Sequence, residues 1–234
     1  MVQLNKFFKN KRILITGHTG FKGSWLTAWL VKMQAKVTGV SLSNHSIPSH
    51  FSYLNLKNKV DHKLLDIRDK KKLENIIKKK QPDFIFHLAA QALVTESYKN
   101  PRFTFETNTL GTLNILESLR YINKKCVVVI ITSDKVYKNF EVEKGYTEND
   151  ILGGYDPYSA SKASAELVIQ SYIKSFYSKN KKLRIGIARA GNVLGGGDWS
   201  LNRLIPDCVK SWSKNRSVLI RNPSSTRPWQ HVLE

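Results

Sequence analysis

Two cysteines in 234 residues, Cys126 and Cys208, are too few and too far apart for a disulfide framework or a Cys-rich metal site. Cys126 opens an apolar run, so both read as buried free thiols and no metal is expected. Long hydrophobic runs are also missing. No stretch reaches the roughly 18 apolar residues that a spanning helix needs, and residues 1–11 are polar and lysine-containing, without the apolar core of a secretory signal. The expectation is a cytoplasmic protein with no membrane partner. Acidic residues are scarce as well: 18 Asp and Glu against 38 Lys and Arg give a net charge of +20. Such a field attracts phosphates and nucleic acids alike. The lysines, however, fall in runs (Lys70-Lys71-Lys72, Lys78-Lys79-Lys80, Lys181-Lys182) and are not interleaved with aromatics as a single-strand platform would require. That distribution favours a solvated basic surface and counts against nucleic acid as a partner.

What is present is an alternation. Short β-branched runs exchange with amphipathic stretches, without internal repeats, as in a parallel α/β sheet. Strands are predicted at Arg12 to Thr16, Val37 to Ser41, around Lys63-Leu64-Leu65, Phe84 to His87, Val127 to Ile131, Leu183 to Ala188 and Val218 to Ile220. Helices are predicted at Phe21 to Met33, Leu73 to Lys80, Phe103 to Arg120, Ser159 to Phe176 and Ile205 to Ser213. In an open sheet of this kind, ligands bind beyond the carboxyl ends of the strands. Three polar or small-residue segments fall there: Gly17 onward, Leu88-Ala89-Ala90-Gln91, and Ser133-Asp134-Lys135.

Gly17-His18-Thr19-Gly20-Phe21-Lys22-Gly23 follows a strand and opens a helix, where backbone amides and the helix N-terminus can meet a pyrophosphate. The end of the second strand carries Ser41-Leu42-Ser43 in place of the acid that usually holds an adenosine ribose, so the preference between NAD and NADP stays open on this ground. Asp66-Ile67, after the third strand, is the expected adenine contact. Farther along, Tyr158 precedes Lys162 by four residues, which places phenol and ammonium on one helix face. The cation can favour the phenolate, but a useful base near pH 7 needs a shift of roughly 3 units from ~10, about 4 kcal/mol. Adjacent residues on a strand point to opposite faces, so Asp134 and Lys135 can serve one ligand only where the strand has ended and the chain is turning.

With these segments in order, the chain resembles the extended short-chain dehydrogenase/reductase family of nucleotide-sugar enzymes. Within that family it is most similar to the 4,6-dehydratases acting on CDP-glucose, through the glycine loop, Ala90-Gln91-Ala92-Leu93-Val94, Thr132-Ser133-Asp134-Lys135, Gly153-Gly154-Tyr155-Asp156-Pro157-Tyr158, Arg189-Ala190-Gly191-Asn192-Val193 and Arg227-Pro228-Trp229-Gln230-His231-Val232. The resemblance implies a Rossmann-like doubly wound parallel sheet. It further implies an NAD-binding domain at 1–190 and the start of a smaller sugar-nucleotide region at 191–234, lacking a C-terminal part that family members carry. Cofactor contacts fall on Gly17, Thr19, Gly20, Phe21, Lys22, Gly23, Ser41, Asp66, Ile67, Leu88, Ala89, Ala90, Gln91, Tyr158 and Lys162, and substrate contacts on Asn192, Arg203 and Arg227.

In the implied reaction Tyr158 deprotonates the sugar 4-hydroxyl while Ser133 holds its oxygen, and hydride passes from C4 to NAD. Lys135 then takes the C5 proton, Asp134 protonates the leaving 6-hydroxyl, and hydride returns to C6. Lys162 binds the nicotinamide ribose. As a base Lys135 has to be neutral, which burial and the neighbouring positive charges are expected to arrange. The family also implies a homodimer, its helix bundle formed here by Phe103 to Arg120 and Ser159 to Phe176. The basic surface would help recruit the nucleotide-linked substrate. The nearest enzymatic rival is the UDP-N-acetylglucosamine 4,6-dehydratase group. A noncatalytic binding module on a dinucleotide fold is the rival of another class.

Overall fold

In the computed structural model of the chain, which describes residues 2–43 and 48–234, six strands form one parallel sheet in the order β3-β2-β1-β4-β5-β6. They are β1 (Arg12–Thr16), β2 (Lys36–Ser41), β3 (Asp61–Leu64), β4 (Phe84–His87), β5 (Cys126–Ile131) and β6 (Leu183–Ala188). Parallel neighbours need crossovers. These carry α1 (Val2–Phe8, leading into β1), α2 (Phe21–Lys32), α3 (His50–Tyr53), α4 (Lys70–Lys80), α5 (Val94–Lys99), α6 (Pro101–Phe105), α7 (Gly111–Ser118) and α8 (Pro157–Tyr172). The order reverses at β1, whose last residue Thr16 pairs with Val40 on one side and His87 on the other. That switch point is where a crevice opens at the carboxyl edge of such a sheet.

Alternation along β1 divides the core between two layers. Leu14 joins the side packed by Leu73, Ile77, Ile115, Leu116 and Ile169, which come from α4, α7 and α8. Ile13 and Ile15 join the other side with Leu30 of α2. Leu14, Ile15, Leu73, Ile77, Ile85, Ile115 and Ile169 are fully buried, and each such side chain contributes about 1.5–3 kcal/mol by leaving water. The sheet is thus covered on both faces, which is why its central strands β1, β4 and β5 read as apolar runs.

Helix starts follow local chemistry. The Asp69 carboxylate accepts from Lys72 N at 3.1 Å and begins α4 earlier than its apolar positions alone suggested. Asp156 accepts from Ser159 N at 3.0 Å, and Pro157 occupies the first turn of α8, where its missing N–H costs nothing.

Two predictions are corrected. The stretch expected as one helix from Phe103 to Arg120 is divided by a π-helical turn at Glu106–Leu110, because Asn108 at its centre bonds outward to neighbouring segments. Val218 to Ile220 is not a strand; Leu219 is 87% exposed, and β propensity without a pairing partner does not make a sheet. Instead β7 (Asn192–Leu194) pairs in parallel with β8 (Trp229–His231), flanking α9 (Leu204–Trp212).

Candidate active site

The glycine loop folds under β1 and α2. Gly17 has φ +76° and its N–H bonds Val40 O at 2.7 Å. A Cβ there would stand 2.7 Å from Ala89 N, so the loop lies directly on the Leu88-Ala89 segment after β4. A Cβ on Gly23 would stand 2.1 Å from Gly17 O, whereas one on Gly20 would meet only Gly17 O at 3.4 Å. Gly17 and Gly23 therefore permit close packing, and Gly20 leaves open space at the N-terminus of α2. Thr19 Oγ1 and Ser41 Oγ, 2.8 Å apart, tie the loop to the end of β2. Leu88 N and Ala89 N donate to the carbonyl and hydroxyl oxygens of Thr16.

The catalytic candidates converge one strand over. β5 ends at Ile131, and Ser133 caps a single 3₁₀ turn, Asp134–Val136, by accepting from Lys135 N at 3.2 Å. The chain is turning there, as a shared role for Asp134 and Lys135 requires. Lys135 Nζ is 3.1 Å from Asp134 Oδ1 and 3.4 Å from Asn192 Oδ1. Ser133 Oγ donates to Asp134 Oδ1 at 3.0 Å and also pairs with the Tyr158 hydroxyl. Gly153 and Gly154 let the chain return against this turn: Gly153 N donates to Val136 O at 2.8 Å, and a Cβ on Gly154 would stand 2.2 Å from Ser159 Cβ. Lys162, one turn beyond Tyr158 on α8, donates to Ile131 O at 3.3 Å.

Electrostatics correct one expectation. Burial pushes the Tyr158 phenol above its ordinary value; the Ser133 bond opposes this and the Asp134 charge adds to it. Lys162 spends one of its donors on the strand end, and its charge is not among the main influences on the phenol. Burial, followed by the Lys22 charge, lowers Lys162 to about 8, with Glu166 acting in the opposite direction. Lys22, expected as part of the cofactor loop, stands among Arg203, Asp134, Lys135 and Asp198; burial lowers it first, Arg203 and Lys135 add to this, and Asp134 and Asp198 oppose it.

Other expected residues divide. Asn192 and Arg203 face the catalytic turn, Arg203 with its guanidinium 3.5 Å from Asp198. Arg227 is exposed and donates to the carbonyl of its own neighbour Thr226; it is not gathered with them. The Asp66 carboxylate is held by Arg68 Nη2 at 2.6 Å and Arg68 N at 2.9 Å, which outweigh burial and keep it below the usual range. Ile67 packs into the core, where Gly111 makes room for it. The Gln91 side chain is occupied within the protein, donating to Thr104 Oγ1 at 2.9 Å and accepting from Leu93 N at 2.6 Å. The side chains of Ile67 and Gln91 are therefore engaged within the protein.

Further polar residues hold the site together. Asn108, fully buried, bonds Gln91 N and O at 2.8 and 3.0 Å and Ser161 Oγ at 2.9 Å. His87 is held by Thr16 Oγ1 at 2.6 Å and Thr112 Oγ1 at 3.1 Å. Glu166 follows Lys162 at helical spacing, and that continuation of the Tyr-Lys stripe was the available signal. Among the described residues no group of three or more His, Cys, Asp or Glu is arranged to hold a metal. None of their helices is long and apolar enough to cross a membrane.

A doubly wound parallel sheet with a glycine loop at its switch point and a Ser-Tyr-Lys cluster one strand away is a Rossmann-like dinucleotide fold. The chain belongs to the GDP-mannose 4,6 dehydratase family, whose model matches residues 14–234. It is 49% identical over 232 residues to CDP-glucose 4,6-dehydratase of Salmonella typhimurium, covering 97% of this chain and 65% of that enzyme. The chain thus spans slightly less than two thirds of that relative's length. Among solved structures, an epimerase of Methanothermobacter thermautotrophicus superposes with TM-score 0.84 at 26% identity, over 99% of this chain and 67% of that one. The dTDP-glucose 4,6-dehydratase DesIV of Streptomyces venezuelae, solved with NAD bound, superposes with TM-score 0.81 at 25% identity, over 94% of this chain and 68% of that one.

Proposed function

We propose that the chain is the catalytic, NAD-binding part of a lyase that converts CDP-glucose to CDP-4-keto-6-deoxyglucose and water. The observation that carries this reading is the Asp134–Lys135 contact beside Tyr158 and Lys162. Oxidation and reduction at one carbon need only the Ser-Tyr-Lys set, while an added acid and base suit removal of a hydroxyl and its β-proton. The 49% identity to a CDP-glucose 4,6-dehydratase supports the same substrate.

The space beside Gly20 and the Gly17–Ala89 contact fit a dinucleotide pyrophosphate, with Thr19, Ser41 and Lys162 available to its hydroxyls. Bound NAD supplies the hydride acceptor and, in its oxidised ring, a positive charge. In this reading Tyr158 accepts the proton of the sugar 4-hydroxyl while Ser133 donates to the 4-oxygen.

Asp134 and Lys135 then act as a couple holding one proton. At rest the proton is on Lys135, as an ion pair. Transfer across the 3.1 Å contact gives the carboxylic acid and the neutral amine without any exchange with solvent. Exclusion of water by a bound sugar favours that neutral form, because it removes two charges from a drying site. Lys135 takes the C5 proton and Asp134 delivers its own to the departing 6-oxygen; as the hydride returns to C6, Lys135 gives its proton back to C5, and the proton that Tyr158 took from the 4-hydroxyl restores the couple. This meets the requirement for a neutral lysine that the sequence raised.

Asn192 and Arg203 serve the nucleotide diphosphate, Arg203 through its fork. Residues 1–190 form the cofactor domain and 191–234 the beginning of the substrate region. A second copy would pack on the helices around Phe105, Leu110, Leu167 and Phe176, each at least 36% exposed.

Incubation with CDP-glucose and catalytic NAD should yield a 4-keto sugar, seen by its ultraviolet absorbance in alkali. Absence of that product with CDP-glucose, in a chain that binds NAD and is completed by its C-terminal part, would refute the reading.

A further inference from the structure

Tyr158, Lys162 and Glu166 recur at four-residue intervals, so one stripe of α8 carries a phenol, an ammonium and a carboxylate. The Glu166 side chain is 0% exposed. Its carboxylate receives Arg189 Nε at 2.9 Å, Arg189 Nη2 at 2.5 Å and Thr132 Oγ1 at 2.6 Å. Thr132 immediately precedes the Ser133-Asp134-Lys135 turn. Arg189 follows β6, and the next residue, Ala190, accepts Asp134 N at 3.0 Å. The other guanidinium nitrogen of Arg189 donates to the Tyr137 hydroxyl at 2.8 Å. One carboxylate therefore joins the catalytic helix, the end of β5 and the end of β6.

Burying an ion pair is an inefficient way to gain stability, since apolar packing of equal volume often does as well or better. Its placement one turn beyond Lys162 calls for another cause. We propose that Glu166 is a positioning residue, which fixes the catalytic turn against the Tyr158–Lys162 face through Thr132 and Arg189 and supplies the negative charge that keeps Lys162 an ammonium. The catalytic half of this inference rests on the dehydratase reading above; the electrostatic half does not. Besides the Tyr158 phenol on its own stripe, the charged and titratable groups around Lys162 are Lys22 from α2, His87 from β4 and Glu166 from α8, with the Ile131 carbonyl from β5. Of these only Glu166 is acidic.

The test is the pH at which Lys162 becomes reactive to acetic anhydride, read by peptide mass spectrometry on the intact chain. In Glu166→Gln, which keeps an oxygen acceptor and removes the charge, the midpoint should fall by about 0.5 to 1 unit. An unchanged midpoint in a folded Glu166→Gln protein overturns the proposal. Should that variant not fold, Thr132→Val decides. It keeps the volume but frees the carboxylate to turn toward Arg189, and the midpoint should fall in the same direction; no movement overturns the proposal. Labelling needs no turnover, so it remains readable even where no keto sugar is formed. In active protein, Thr132→Val should lower kcat by about tenfold with KM within about twofold. Unchanged kcat removes the positioning role.

Discussion

Lys135 Nζ stands 3.1 Å from Asp134 Oδ1, so the residues assigned as base and acid hold each other before any substrate arrives. Neighbours in sequence rarely meet this way from a strand. Here they do because β5 has ended and Ser133 caps a 3₁₀ turn. Asp134→Asn abolishes the one-proton couple. Single-turnover measurements with CDP-glucose should show cofactor reduction within a few-fold of wild type, and water loss slowed by roughly 10²–10⁴. Equal slowing of both steps would remove Asp134 from the elimination.

Lys162 is a buried ammonium held at a cost to the fold. Its native value of about 8 lies below the ordinary 10.5, so between those two pH values the unfolded chain binds the proton and the native one does not. Stability from this group therefore rises as pH climbs through that window, and the full penalty, about 3 kcal/mol at most, applies below pH 8. Lys162→Met should raise the urea-unfolding free energy at pH 7 by about 1–3 kcal/mol, less at pH 10, while turnover is lost. A destabilised variant at pH 7 would mean that the bond to Ile131 O outweighs desolvation.

His87 supplies an acid-sensitive element. Burial, then the Lys162 charge, push it from 6.5 down to about 3, and the neutral ring bridges Thr16 and Thr112. Its contribution is complete above pH 6.5 and is lost progressively toward pH 3, because the unfolded ring takes a proton that the native one refuses. His18, lowered to about 4 chiefly by burial, acts in the same direction. Thermal midpoints should fall between pH 6.5 and 4. His87→Gln should flatten that slope by about one proton's worth, measured by calorimetry across the range.

Gly23 tests the loop itself. A methyl group there would stand 2.1 Å from Gly17 O, within a backbone that cannot yield cheaply. Gly23→Ala should cost about 2–4 kcal/mol of stability or displace the loop. Calorimetric titration with NAD should then show at least about tenfold weaker binding. Gly145→Ala, at a position with no atom within 4 Å, is the matched control and should leave binding unchanged.

The sequence by itself determined the sheet, the glycine loop and the Tyr158–Lys162 stripe. Those depend on local periodicity and on residue types whose conformational needs are written in place: a glycine after a strand, an apolar run too short and too branched for a helix. Tertiary structure alone decided which polar groups are buried and what faces them. Glu166 on a helix reads the same whether it meets water or Arg189, 23 residues away. That the side chains of Gln91 and Ile67 are taken up by Thr104 and by the space Gly111 leaves is visible only in the assembled chain. The Asn192–Leu194 and Trp229–His231 strands are too short to carry a period and pair across 34 intervening residues. Val218 to Ile220 carries the composition of a strand and lacks a partner. Proximity and burial are properties of the assembled chain, and they convert a list of acids and bases into a site with a division of labour.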